Sequence, residues 1–294
     1  MKRIVIALAS ALVIAAPLAA QLQSDPQGGD LTRGVPSPNG RTVEGGVAFI
    51  NPGTPVVSEA EINSQPVPRL PDGHVDLTGP WVGGGTVADI ERDGGLKPGE
   101  LPLLPWAKEL RDKRRSQDDP YTACMPMAVL RTNPYPWKFV MGYTAKGLTH
   151  IYILHELMDD GAHRVVYMDG RKHPDGFIPA WLGHSVGRWE GDALVVDTVG
   201  FNDKFWFDSR GTPHTDKLHT IERWTRPNYG TLVDEFTLED PGALSRPVQL
   251  KFTAKLLKPN LKVGGGELME FICLEDNEYG SAAGFKPGSG TSNK

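Results

Sequence analysis

The chain has 294 residues, a net charge of −5 and no clustered Lys or Arg stripe, which excludes a nucleic-acid partner and a polybasic membrane surface on electrostatic grounds. No phosphate loop, dinucleotide fingerprint, zinc signature or nucleophile elbow occurs, so no cofactor is expected.

The N-terminus carries Lys2 and Arg3, an apolar run Ile4–Ala16 and then small residues before Gln21, the layout of a cleaved signal peptide over residues 1–20. A membrane anchor is the alternative, but the run is shorter than the ~20 residues a spanning helix needs. No later segment could span a bilayer. The mature chain is therefore expected in the periplasm or secreted. Residues 21–68 are rich in Gly, Pro, Ser, Asn and Gln and are expected to be flexible. Residues 69–279 form one domain of roughly 210 residues, and the Gly- and Ser-rich tail 280–294 is expected to be disordered.

One helix is expected over Pro105–Gln117, with Pro105 in its first turn and Trp106 and Leu110 on one face. Short β-type runs bounded by turn residues come before and after it. They are Leu77–Val82, Lys138–Tyr143, Leu148–Leu157, His163–Met168, Ser185–Trp189, Ala193–Gly200, Leu218–Arg226, Thr231–Leu238, Val248–Leu257 and Glu267–Leu274. Glu190–Asp192 and Pro227–Gly230 read as hairpin turns. A meander of about ten strands favours a closed antiparallel barrel, which leaves no edges, over a curved β-sandwich.

Polar residues with catalytic capability concentrate between Tyr167 and Arg226. Asp169, Arg171 and His173 follow one strand through an Asp-Gly turn; Arg171 could clamp an anion and His173 could exchange a proton. Asn202, Asp203 and Trp206 follow the apolar strand ALVVDTVG and suit a pocket rim, or alternatively a turn over a hydrophobic cap. Asp197 lies inside that strand, as an inward polar group or a bulge marker, and is left out of the catalytic set. His214, Asp216, His219 and Glu222 follow. Two His and a Glu invite a metal reading, but in regular β structure His219 and Glu222 point to opposite faces, so acid–base chemistry fits better. His150 and His155 fall on opposite faces of their strand, one exposed and one in the core. Trp181, Trp206 and Trp224 could stack on a ligand ring or simply fill the core.

Cys124 and Cys273 are expected to form a disulfide after export, two buried thiols being the alternative. Cys273 is placed on the last strand, so the bond would pin the early segment against the strand that closes the barrel.

The strings DLTGPW, WEGDALVVDTVGFND and HTDKLHTIER together resemble a widespread, uncharacterised family of exported bacterial proteins; this resemblance implies export and no particular reaction. Gly79, Pro80 and Trp81 resemble the Gly-x-Trp opening of lipocalin-like barrels, which implies a central ligand cavity. The residues thus lead to an exported lyase or hydrolase acting without metal on a small sugar-derived or aromatic substrate in a Trp-lined cavity. Its catalytic set is His173, His214, His219, Glu222 and Asp203, and its substrate-binding set is Asp169, Arg171, Asn202, Trp206, Trp181 and Trp224. A lipocalin-like, non-catalytic carrier of an apolar ligand is the alternative. Oligomeric state stays open.

Overall fold

The computed structural model describes residues 58–127, 129–157, 163–176 and 178–257, with Leu268, Phe271 and Cys273. The expected signal peptide over residues 1–20, most of the expected flexible segment 21–68 and the expected tail 280–294 lie outside the described residues. Nine strands close into a barrel: β1 (Trp81–Gly83), β2 (Trp137–Thr144), β3 (Gly147–His155), β4 (Arg164–Tyr167), β5 (His184–Glu190), β6 (Ala193–Val199), β7 (His219–Asn228), β8 (Thr231–Glu239) and β9 (Val248–Leu256). Closure is made by β1, which pairs with β2 at Trp81↔Trp137 and with β9 at Gly83↔Ala254.

The strands form where apolar and polar residues alternate. In β9, Val248, Leu250, Phe252 and Ala254 are buried while Gln249, Lys251, Thr253 and Lys255 are exposed, which fixes the face turned inward. The ladder departs from a simple meander at one place: β4 and β5 run parallel, with Val166 opposite Ser185. A closed ring with an odd number of strands cannot alternate direction all the way round, so one pair must be parallel. The β4–β5 connection therefore returns along the outside of the wall, and it carries Asp169, Arg171 and His173 with it.

The expected helix forms over Pro105–Lys113 as α3, after α1 (Glu59–Asn63) and α2 (Ile90–Asp93) and before α4 (Val129–Thr132) among the described residues. It stops before Gln117 because Arg114 turns extended, donates to the Gly211 carbonyl at 2.8 Å and lies 4.7 Å over the Trp206 ring. Its inner face is Ala107 and Arg111, whereas Trp106 and Leu110 remain exposed. The end of the supposedly flexible segment is also structured. Ser58 caps α1, Ile62 is buried, and Asn63 accepts the Gly230 amide at 3.1 Å.

The barrel interior is filled in three layers. At one end Trp81, Trp137, Phe139 and Trp224 pack within one apolar cluster, with Trp137 5.2 Å from Trp224. At the other, Phe236, Leu250 and Phe252 meet a plug of Ile90, Leu130, Phe201, Phe205 and Phe207 contributed by the connections. Burying each large side chain is worth about 1.5–3 kcal/mol. Between the clusters lies a polar layer. Arg164 donates to Ser185 Oγ at 3.0 Å, to Thr198 Oγ1 at 2.6 Å and to Glu222, and Asp234 is fully buried beside them.

Cys124 and Cys273 are disulfide-bonded across 149 residues. The backbone at Cys273 is helical, so the bond does not sit on a closing strand; that role belongs to β9. The rest of the Glu267–Leu274 segment is described only at Leu268 and Phe271, neither in a strand. Among the described residues, no helix is long and apolar enough to cross a membrane.

Candidate functional site

Gly183 sets the start of β5. Its φ is +63° and a Cβ there would come within 2.7 Å of the Val199 carbonyl, so the tight entry suits glycine alone. The next residue, His184, pairs with Val199, and Val186 pairs with Asp197. Because Ser185 and Thr198 turn inward to Arg164, His184 and Asp197 face out. His219 opens β7 on the same outer face and pairs with Glu239 at the end of β8. His173 reaches this wall from the β4–β5 connection.

These side chains form a continuous hydrogen-bonded row. Asp197 Oδ1 takes His173 Nε2 at 3.1 Å and His219 Nε2 at 2.9 Å. His219 Nδ1 reaches Glu239 Oε2 at 3.0 Å, and His173 Nδ1 meets His184 Nδ1 at 2.9 Å. A carboxylate only accepts, so both imidazoles must donate to Asp197. His219 thus faces carboxylates with both nitrogens and is best satisfied as an imidazolium. Its pKa is raised, first by the Asp197 hydrogen bond, with partial burial opposing. That same bond lowers the pKa of Asp197. His184 is pushed the other way, by burial and then by His173 and Arg171.

A neutral His173 that donates through Nε2 accepts through Nδ1, which makes His184 Nδ1 the donor between them. That proton can pass to His173 when His184 gains another at its second nitrogen in the same step, and Asp197 stabilises the imidazolium that then forms on His173. The row is open to ligands: His173, Asp197 and His219 have side chains 23%, 26% and 29% exposed. Rings continue the wall beside it. Tyr167 stacks on His184 at 5.1 Å, His150 lies 5.3 Å from Tyr167, and the Arg171 guanidinium sits 3.9 Å over the Tyr167 ring.

Of the expected catalytic residues, the fold brings together His173 and His219. Glu222 does not join them. It points into the polar layer against Arg164, as the alternation in β7 requires. His214 is buried elsewhere, with its ring 3.8 Å from Phe205 and its pKa lowered by burial to about 4. Asp203 is exposed on its loop, and Asn202 accepts the Lys204 amide at 3.0 Å. That is the turn-over-a-cap arrangement, because Phe201, Phe205, Trp206 and Phe207 beneath it are buried. Trp224 is core, Trp206 is core under Arg114, and half-buried Trp181 packs against the plug. The tryptophans expected to line a cavity are thus buried in the core, as Trp206 and Trp224 are, or packed against its apolar cluster, as Trp181 is. Asp169 grips Arg171 Nε at 2.9 Å, its pKa falling to about 2 through that bond. His155 is the core histidine, held by Asn133 at 2.8 Å, and His150 is half-buried rather than exposed.

The residues missed are Asp197, His184 and Glu239. Asp197 is neither inward nor at a bulge. Val195 and Val199 beside it made its face look internal, whereas β6 is apolar on both faces. Counting back from the Glu190–Ala193 hairpin pair would have set His184 and Asp197 on one face. Among the described residues, no group of three or more His, Cys, Asp or Glu has the arrangement of a metal site. Compared with protein-family models, curated proteins and solved structures, the chain matches none.

Proposed function

We propose that the protein is an exported enzyme performing acid–base chemistry on the outer wall of its barrel, with His173 and His184 as the proton-exchanging pair. The observation that carries this reading is the shared Asp197 Oδ1, which takes one imidazole at 3.1 Å and another at 2.9 Å. Asp197 positions His173 and stabilises its cationic form. His219, held by Glu239 from the other side, fixes Asp197 in place.

The substrate is a small sugar-derived or aromatic compound whose ring lies against this aromatic wall beside His150, while Arg171, paired with Asp169, packs over Tyr167 and holds it in place. If the pair takes its proton from a C–H beside a carbonyl, the step is a lyase reaction; if it takes it from water, the step is a hydrolysis. In either case the proton is returned to the leaving group. The Cys124–Cys273 disulfide supports export, since such bonds persist in oxidising compartments. The carrier reading finds less support, because Trp81, Trp137 and Trp224 fill the lumen that an apolar ligand would occupy.

The test is proton NMR of mixed sugar-derived and aromatic compounds incubated with the protein. Turnover by the wild type, reduced about 10²-fold or more in His173→Gln and moved to a different pH optimum in Asp197→Asn, is the expected result. Equal rates in all three proteins would refute the assignment.

A further inference from the structure

The polar layer inside the barrel is a ring carried by successive strands: His155 on β3, Arg164 on β4, Ser185 on β5, Thr198 on β6, Glu222 on β7 and Asp234 on β8. Ser185 pairs directly with Thr198. At every other step the register is offset by two residues, since Arg164 is opposite Ile153, Val166 opposite Ser185, Thr198 opposite Thr220 and Glu222 opposite Phe236. An offset of two keeps side chains on the same face, and these offsets all run in one sense, so strand tilt brings the six residues to one level of the barrel. All six are buried.

The hydrogen bonds of this ring do not close. Arg164 Nε and Nη2 are taken by Ser185, Thr198 and Glu222, but Nη1 has no protein partner among the described residues. The same is true of both Asp234 carboxyl oxygens and of His155 Nδ1; the Arg223 amide lies near Asp234 without bonding it. Arg164 acts through space on both His155 and Asp234, so these three groups lie close together in the lumen.

Their chemistry narrows what can satisfy them. Asn133 Nδ2 donates to the Gly84 carbonyl at 3.0 Å, so its Oδ1 accepts from His155 Nε2 at 2.8 Å and Nδ1 is left as an acceptor. Burial keeps this imidazole neutral, its pKa lowered to about 3. Burial likewise favours the protonated form of Asp234, which donates through one oxygen and accepts through the other. Donors and acceptors are therefore both unmatched, and the charges of Arg164 and Glu222 cancel, which leaves nothing to hold an ion. A neutral molecule that donates and accepts at once is needed, and ordered water does this at buried polar sites.

We propose that the ring holds an internal water site, in which ordered water bridges Arg164 Nη1 to the Asp234 carboxyl and reaches His155 Nδ1. The site is independent of the chemistry proposed for the outer wall.

Crystallography of the wild type with bromide in the mother liquor, together with oxygen-17 relaxation dispersion in solution, tests this. The expected result is density for water within about 2.5–3.2 Å of Arg164 Nη1 and of an Asp234 oxygen, with no anomalous bromide signal there. The dispersion of a long-lived internal water is expected in the wild type and in Asp234→Asn, and is expected to be reduced in Asp234→Leu. Direct contact between Arg164 and Asp234 with no water between them, or bromide at the position, would overturn the proposal. Equal dispersion in the wild type and in folded Asp234→Leu would overturn it as well; if that variant does not fold, the crystallographic result decides.

Discussion

Replacing Arg164 with Met isolates the contribution of the polar layer inside the barrel. Arg164 and Glu222 have side chains 2% and 0% exposed, so the substitution leaves Glu222 without its cation and beside the fully buried Asp234. Removing one partner of such a pair destabilises a fold by about 3–5 kcal/mol. The hydroxyls of Ser185 and Thr198 are 2.9 Å apart and can satisfy each other, so they add little to that figure. Converting both partners, Arg164→Met with Glu222→Leu, removes the stranded charge. The double variant then loses mainly the Trp224 Nε1 bond to Glu222 at 3.3 Å, worth about 1 kcal/mol. In a double-mutant cycle by urea unfolding, followed by tryptophan fluorescence with the disulfide intact, the double variant should be about 2–4 kcal/mol more stable than Arg164→Met alone, and the loss in Glu222→Leu alone adds to that difference in the coupling energy. A coupling below about 0.5 kcal/mol would mean that the two residues act independently, and the layered account of the core would be wrong.

Three further outcomes are expected. Burial lowers the His214 pKa from 6.5 to about 4, so the unfolded chain binds this proton more readily. Stability is therefore full above pH ~6.5 and falls by about 3 kcal/mol as pH drops towards 4; urea midpoints across that range should fall less steeply in His214→Gln. Reducing the disulfide, which closes a loop of 149 residues, should lower stability by up to about 5 kcal/mol on the chain-entropy model, and alkylation of the unreduced protein should label neither cysteine. Asp234 has its pKa raised well above the usual carboxylate value by burial and then by Glu222. As a neutral acid it should tolerate Asp234→Asn within about 1 kcal/mol; a larger loss of stability in urea would show that it is ionised.

Much of the architecture was legible because burial imposes a two-residue period on strands. The runs at Lys138–Tyr143, Thr231–Leu238 and Val248–Leu257 fall within a residue or two of β2, β8 and β9. The opposition of His219 and Glu222 followed from the same rule. The arrangement of the site was harder to read because it depends on partners far apart in sequence. Asp197 meets His173 across 24 residues and His219 across 22, and the parallel β4–β5 pair that brings His173 there comes from the parity of the closed ring. Tryptophans indicated large rings, but not whether a cavity or a core received them. In this barrel Trp81, Trp137 and Trp224 are core.

The most direct test of the imidazole row is the titration of histidine side chains by nitrogen-15 NMR in the wild type and in Asp197→Asn. The wild type should show His219 titrating above its ordinary value of 6.5 and His184 below it, with His173 donating through Nε2. Loss of the Asp197 charge should bring the His219 value down and change the His173 tautomer in the same variant. Histidines that titrate independently, with His173 and His219 indifferent to Asp197→Asn, would contradict the proton relay on which the proposed chemistry depends.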